Sequence, residues 1–593
     1  MLDFHRIVIQ LKEALGYNLT EKERQETAKG VCASYADKGA EAFLLKEYGN
    51  FLQRNHYIMD NYQDIPSRLK QTKLKVKKNA AKRGRFFYKE KPLSDEENML
   101  LDIWGFFDQS DVYQNPSKYS ALFARIIPPQ DIQDVATFAQ SIKAEEAGGR
   151  VDLASFSGSY NLNELTEFFK IINSKVKPLN TDFCFQFFGD HKLSLGYSHS
   201  EKSWTFIDIG EPFLEPVSIK ASSERELAEI FFRLYHEGEY VAFTTRIVTF
   251  EGMQKEVRRF AKSLLKNNAF QQLHTITPEK IQRETAKGER LSKLILYDND
   301  AEALQSIVNC LQQDISLMTA DLEIAVLIAA SRNCIESMRV ILDADIKPNI
   351  PLFDANIKDK AGDAAILVAS QLGFIDIVKQ LIEAKTAEGN PGVDANATLS
   401  TGETAALLAA KQGHFEVVEA LANASLANGF YYVDLNKPNE NGINPLLVAV
   451  QKGHADLVDL LVNAKTAEGN VRVDLNSADR EGETAVLKAV KQNRVDVLKS
   501  LLQAKNPDGT QRVKVDKPNK SNLTPLCLAA FNGNIEMVKL LVNAGANIHH
   551  KYQKHTVIKI AQQKGHLEIA SWLKKQTKEK SSKTPSNGRS PSP

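Results

Sequence analysis

The sequence predicts two architectures in one chain: an α+β globular domain over residues 1–280, then an all-α solenoid of helical repeats over 285–573. Three observations carry this. First, three independent classes of position recur with a period of 40 in the second half. Second, residues 1–280 show no repeat, with helical patterning up to about 145 and strand-like runs between 181 and 250. Third, the 593 residues are ample for more than one hydrophobic core, so neither half requires a disulfide or a structural metal.

The repeat half reads unit by unit. Turn glycines fall at Gly362, Gly402, Gly442 and Gly482. A second series, Asn333, Gly373, Gly413, Gly453, Asn493 and Gly533, follows a short apolar helix. The third is the apolar series Ile341, Leu381, Leu421, Leu461, Leu501 and Leu541 in a second helix. A polar loop closes each unit, as in Val433-Asp434-Leu435-Asn436. Two short helices and a turn cannot bury their own apolar faces, so neighbouring units must stack. Thr524-Pro525-Leu526-Cys527-Leu528-Ala529-Ala530, followed by Asn532-Gly533-Asn534 and Val538-Lys539-Leu540-Leu541, resembles the ankyrin repeat. The resemblance implies about seven units with protein-binding hairpin tips and inner helices. The usual period is about 33 residues, so about seven extra residues per unit fall after the second helix, as in Ala384-Lys385-Thr386-Ala387-Glu388-Gly389-Asn390. Gly288 to Leu311 reads as a degenerate N-terminal cap, with Asn299 placed 34 residues before Asn333. His414, His454 and His566 recur at one loop position and read as braces of that loop.

In the N-terminal half the best strands are Phe183–Phe188, Lys192–Tyr197, Ser203–Asp208 and Tyr240–Thr245, the middle two joined as a hairpin across Ser198–Lys202. Two places carry possible chemistry. Gly30-Val31-Cys32 opens an apparent helix containing Ala40, Phe43 and Leu44, and a helix start favours the thiolate form of a cysteine. His191 stands at the mouth of one hairpin strand and Asp208 at the end of the other. Antiparallel pairing then lets Asp208 orient the imidazole toward Cys32, as nucleophilic catalysis requires. The order Cys32, His191, Asp208 in these contexts resembles papain-like cysteine peptidases, nearest to the YopT/AvrPphB type of secreted bacterial effectors. That resemblance implies a papain-like fold, a Cys32 nucleophile, a His191 base, an Asp208 orienter and an oxyanion-hole side chain, for which Gln25 is the candidate. The Cys-to-His separation of 159 exceeds the roughly 130–150 of papain-type enzymes. The ordinary reading of Cys32 is a buried helix thiol, and of His191 a satisfied strand-end histidine.

Composition narrows the function classes. Lys+Arg is 75 and Asp+Glu is 74, so a global polycation is excluded and nucleic-acid binding requires a local patch. The segment 66–91 is such a patch, a possible contact for nucleic acid or anionic lipid, although a solvated helix face explains it more simply. Five scattered cysteines argue for a reducing compartment. Of these, Cys184 lies in an apolar strand, Cys310 and Cys334 in the first solenoid units, and Cys527 in a repeat core; only Cys32 has a reactive context. No zinc spacing, P-loop or dinucleotide fingerprint appears, and His236-Glu237-Gly238-Glu239 lacks the second histidine of a zincin. No cofactor or metal is expected. Neither a signal peptide nor a membrane span is expected, and residues 574–593 read as a disordered polar tail. The expectation is a cytoplasmic-type protein, secreted into a host cell cytosol, that binds a host protein through ankyrin repeats and acts on it by peptidase or acyl-transfer chemistry. The alternative is a non-catalytic binding or scaffold protein with a degenerate protease-like domain. Substrate, partner and oligomeric state are not legible.

Overall fold

Aromatic and β-branched runs form the strands of the N-terminal half, where side chains of alternate residues share a face. The computed structural model describes residues 150–582, apart from 190–191, 208–217, 221–222, 236–237, 286–287, 289, 348–349, 387–389, 427–428 and 507, together with positions 40, 42, 44, 46, 58, 64–65, 67–72, 94 and 100. Contacts divide the chain into two units, 1–323 and 324–593.

The first unit is α+β. Strands β1 (Arg150–Tyr160), β2 (Phe183–Gly189), β3 (Lys192–Ser198), β4 (Ser203–Ile207), β5 (Ser218–Lys220) and β6 (Val241–Phe250) form one sheet in the order β1-β6-β2-β3-β4-β5. The hairpin between β3 and β4 is present, paired from Ser198↔Ser203 to Ser194↔Ile207. The run expected over Tyr240–Thr245 continues to Phe250, because β6 lies between β1 and β2 and both edges of its backbone are paired.

Phe183, Phe185 and Phe187 alternate along β2 with Cys184, Gln186 and Phe188. The first set packs into one apolar cluster with α1 (Leu162–Val176), α2 (Glu224–Leu234) and α3 (Gln254–Leu265). Asn161 starts α1 with a capping box: its side chain accepts from the Asn163 and Glu164 N–H groups, and Glu164 accepts from the Asn161 N–H. Buried Trp204 donates to Asn173 Oδ1 at 2.8 Å, so its one polar atom is satisfied. Cys184 and Phe250 form a smaller cluster with Ala40 and Leu44, both helical positions.

Further helices follow in this unit, among them α4 (Asn268–His274), α5 (Pro278–Gln282), α6 (Leu291–Tyr297) and α7 (Ala301–Gln313). Arg283, only 5% exposed, binds Glu164 through both guanidinium nitrogens at 2.6 and 3.0 Å, Glu279 at 2.9 Å, and the Ser159 carbonyl at 2.9 Å. Asp298, at the end of α6, takes Arg246 of β6 at 3.0 Å and the Ser155 hydroxyl. Asn299 has φ +55°, the left-handed conformation found again at Asn333.

The second unit contains seven consecutive helix pairs among the described residues. They are α8 (Ala325–Arg332) with α9 (Ile335–Leu342), α10 (Ala365–Leu372) with α11 (Ile375–Glu383), and α12 (Ala405–Gln412) with α13 (Phe415–Asn423). Then come α14 (Pro445–Lys452) with α15 (Ala455–Asn463), α16 (Ala485–Lys491) with α17 (Val495–Gln503), α18 (Pro525–Asn532) with α19 (Ile535–Asn543), and α20 (Val557–Gln563) with α21 (Leu567–Ser582). First helices stack on first helices and second on second. All six residues of the series from Asn333 to Gly533 have φ between +56° and +87° and turn the chain between the two helices of a pair. The series from Ile341 to Leu541 is buried throughout. Disorder does not begin at Lys574, as the polar composition suggested. Helix α21 continues to Ser582, since Lys, Gln and Glu are good helix formers and buried Ile569, Ala570 and Leu573 anchor its first turns. The rest of the tail lies outside the described residues.

Candidate binding surfaces of the repeat array

Each repeat starts with a short finger. Lys358 bridges Ala364, Thr398 bridges Thr404 and Ala478 bridges Thr484 across tight turns. The side chains of Asp359, Asn439, Asp479 and Asn519 each accept from backbone N–H groups two and four residues on, which sets the turn locally. Neighbouring fingers are tied through backbone bonds: Glu440 N–H to the Thr401 carbonyl, Arg480 to Asn441, and Lys520 to Glu481, at 2.9–3.1 Å. Fingers also reach the first helices. Glu403 pairs with Lys411 at 3.0 Å and Glu483 with Lys491 at 2.7 Å. Lys488, nearly buried, pairs with Asp479 at 2.5 Å and Glu483 at 3.4 Å, and this holds Asp479 below the usual carboxylate range although its burial acts the other way. The exposed residues at the ends of the first helices include Gln371, Gln412, Gln451, Lys452, Lys491, Gln492, Phe531 and Asn532. They form a polar surface with one aromatic centre, Phe531, 45% exposed and covered on one side by Lys564 at 4.1 Å.

The inserted residues form a second row of turns after the second helices, bridged at Lys385↔Pro391, Ser425↔Tyr431, Lys465↔Val471 and Lys505↔Gln511. They are held by a ladder of asparagines. Asn356, Asn396, Asn436 and Asn476 each donate through Nδ2 to the carbonyl of Gly392, Tyr432, Arg472 and Arg512, at 2.6–2.9 Å. Each also accepts at Oδ1 from the N–H of Asp394, Asp434, Asp474 and Lys514, at 2.6–2.7 Å. A carboxamide is the side chain that both donates and accepts at that reach. In the fifth position stands Asp516, which only accepts, from Asn547 N–H at 2.9 and 3.0 Å. There the partner lies 31 residues on instead of 38, because the insertion is missing. Arg472 and Arg512 add a second staple, donating to Val433 and Val473 carbonyls at 2.9 Å and to the Ala422 and Val462 carbonyls.

The recurring histidines are loop braces. The His414 and His566 rings each make a 3.1 Å hydrogen bond to a carbonyl of the preceding repeat, Gln371 and Phe531. Burial holds His414 below its ordinary pKa, and nearby His454 acts in the same direction. Cys527 is a core thiol, pushed up chiefly by burial. Cys32, Gln25, His191 and Asp208 all lie outside the described residues. In the sequence, Lys192 at the start of β3 follows His191, Ile207 at the end of β4 precedes Asp208, and Ala40 is the first described residue after Gln25 and Cys32. Of the basic segment 66–91, residues 67–72 are helical, with Leu69 buried and Lys70 exposed. Among the described residues no group of three His, Cys, Asp or Glu side chains is placed to hold a metal ion, and no helix is long and apolar enough to cross a membrane.

Sequence reading missed the asparagine ladder and the stapling arginines. The Asp-x-Asn spacing in each closing loop was the available signal, but the partners lie 36–38 residues away.

Comparisons with known proteins bear on the second unit. The family model described as ankyrin repeats (three copies) matches residues 326–429, 389–472, 426–513 and 509–584. No curated protein sequence matches the chain. Among solved structures, the ankyrin repeat domain of Bcl-3, a member of the IkappaB family, is similar at 21% identity and TM-score 0.35, over 42% of this chain and 97% of that one. An ankyrin repeat domain from Acinetobacter baumannii is similar at 26% identity and TM-score 0.31, over 38% of this chain and all of the other. With the seven stacked helix pairs and their fingers, the family match identifies residues 326–584 as an array of ankyrin repeats.

Proposed function

We propose that this protein captures a protein partner on the finger and first-helix face of its ankyrin array and acts on it through a thiol nucleophile in its N-terminal unit. The observation that carries the first part is the array, which stacks rigid, hydrogen-bonded fingers beside a polar face centred on exposed Phe531. The resemblance of the N-terminal half to secreted effectors supports a partner in a host cytosol. The second part rests on the sequence context of Cys32, His191 and Asp208, and is supported by the sheet and by helical Ala40 and Leu44 packing against Cys184 and Phe250. In this reading the Cys32 thiolate attacks an amide or thioester carbonyl carbon, while Gln25 donates to the resulting oxyanion. His191, oriented by Asp208, takes the thiol proton and returns it to the leaving group. Water or another acceptor then resolves the acyl-enzyme, restoring the thiol.

A thiol-directed covalent probe tests the chemistry in the full chain. Labelling at Cys32 should vanish in Cys32→Ala and slow by about tenfold or more in His191→Ala. Equal labelling of wild type and His191→Ala refutes an activated nucleophile and leaves binding as the function. For the array, Lys491→Glu with Phe531→Ala should abolish partner capture by the Cys32→Ala protein; retained capture refutes the assigned face.

A further inference from the structure

We propose that the second-helix side of the array carries its own docking groove, between α13 and α15, for an extended basic peptide segment of a partner protein. The groove is about 730 Å³ and is lined by apolar Phe415, Ala422, Leu460 and Ala464, by the acids Glu419, Asp456 and Asp459, and by Lys465 and Arg472. It continues past Glu419 and Asn423 into a second groove of about 720 Å³ against α11, which adds Asp376, Glu383 and Glu416 beside two cations, Lys379 and Lys385, so that acids outnumber bases four to two along it. Phe415 is 38% exposed there.

The array itself provides the reference for what these positions need. Every second helix has an acid at its second residue, as at Glu336, Asp376, Glu416, Asp456, Asp496 and Glu536, where the helix N-terminus favours negative charge. Three residues later the chain places a cation at Arg339, Lys379, Lys499 and Lys539; Arg339 pairs with Glu336 of its own helix at 3.1 Å, and Lys499 with Glu536 of the next repeat at 2.7 Å. Only α13 and α15 reverse this, with Glu419 and Asp459. Like charges three apart on a helix weaken it by a few tenths of a kcal/mol. Folding therefore gives no reason for two successive repeats to carry them at the same place. None of Glu416, Glu419, Asp456 and Asp459 has an ion-pair partner among the described residues. Arg472, on the groove wall, is occupied by the Ala422 and Val433 carbonyls and by the Tyr431 ring 4.2 Å away.

Charge and shape select the occupant. The carboxylates sit on separate helices, which pack about 8–10 Å apart. That is too wide to chelate one ion, and it matches one three-residue turn of an extended polyproline II chain, about 9 Å, which returns every third side chain to the same face. A segment with Arg or Lys at every third residue and apolar residues between them places cations against successive acidic pairs and apolar groups over Phe415 and Leu460. This inference relies on the array being a protein-binding element, and it uses the helix layer opposite to the face assigned above.

The probe is a labelled peptide of repeating Arg-Leu-Ser, titrated into the full-length protein by fluorescence anisotropy. Glu419→Lys with Asp459→Lys installs the residue type already present at Lys379, Lys499 and Lys539, so the array keeps its fold, which far-UV circular dichroism verifies. The expected result is saturable binding that weakens about tenfold or more in this double variant, weakens with added salt, and is absent for a Glu-Leu-Ser peptide. No binding, unchanged affinity in the double variant, or equal binding of the acidic peptide overturns the proposal. Failure of the Lys491/Phe531 capture test with the peptide titration intact overturns the first-helix reading alone.

Discussion

Replacing Asn436 by aspartate is an isosteric test of how the repeats are joined. The wild-type carboxamide donates to the Arg472 carbonyl and accepts from the Asp474 N–H, both at 2.7 Å. A carboxylate keeps the second bond and turns the first into an unprotonated oxygen facing a carbonyl oxygen. The lost bond costs about 1 kcal/mol and the half-buried carbonyl left without a donor about 1 kcal/mol more, for a total of about 2 kcal/mol. For a unit of this size that is a fall in midpoint temperature of about 5 °C. The loss should depend on pH in a defined direction. Only the neutral acid can donate to Arg472 as the amide did, so the introduced group has its folded pKa raised above the unfolded value of about 3.9. Its contribution is therefore fully present below about pH 4 and lost as pH rises through the raised folded value. Urea unfolding of wild type and Asn436→Asp, followed by far-UV circular dichroism at pH 7 and at pH 4, measures the difference at each pH. A variant equal to wild type at pH 7, or a deficit that does not shrink at pH 4, refutes the ladder as the coupling between repeats.

Three further outcomes are expected. Gly413 has φ +87°, and a Cβ there would lie 2.8 Å from His454 Cε1; Gly413→Ala should destabilise the array by about 2 kcal/mol, partly relieved by adding His454→Ala, in thermal melts. In the first unit, Tyr160 donates to His274 Nε2 at 2.6 Å while Nδ1–H donates to the Phe270 carbonyl, and burial pushes the imidazole down to about 4. Because the folded pKa is depressed, this stability is complete above about pH 6.5 and falls by about 3 kcal/mol as pH drops through 4; His274→Gln, which keeps an acceptor, should flatten the acid limb of the aromatic near-UV signal. Burial alone would raise the Glu164 carboxyl, but the Arg283 hydrogen bonds and charge hold it below its usual value. Arg283→Met should therefore cost about 3 kcal/mol in urea unfolding, and a change under 1 kcal/mol would show that the pair is not a keystone.

Much of this was legible in the residues. The 40-residue period marks repeat boundaries because each helix pair must present the same apolar face to its neighbour. The Asn and Gly series marks the helix reversals because those residues tolerate positive φ. The β3–β4 hairpin was legible from two aromatic runs and a polar turn, since strand pairing over five residues is a local matter. The length of β6 was not, because it depends on two flanking strands from distant sequence. Nor was the helical extension of α21 beyond Lys574, which its buried first turns support.

By itself the sequence determined the repeat architecture, the left-handed turn positions and the loop-bracing histidines. Each of these is carried by local residue chemistry or by strict periodicity. Tertiary structure alone decided that the closing-loop asparagines bridge to backbone 36–38 residues away, that Arg472 and Arg512 spend their charge on carbonyls of the preceding repeat, and that Phe415, Glu419 and Asp459 line one groove. Those functions depend on which backbone groups the stacking of neighbouring repeats leaves to be satisfied, and no single repeat, read alone, contains its neighbour.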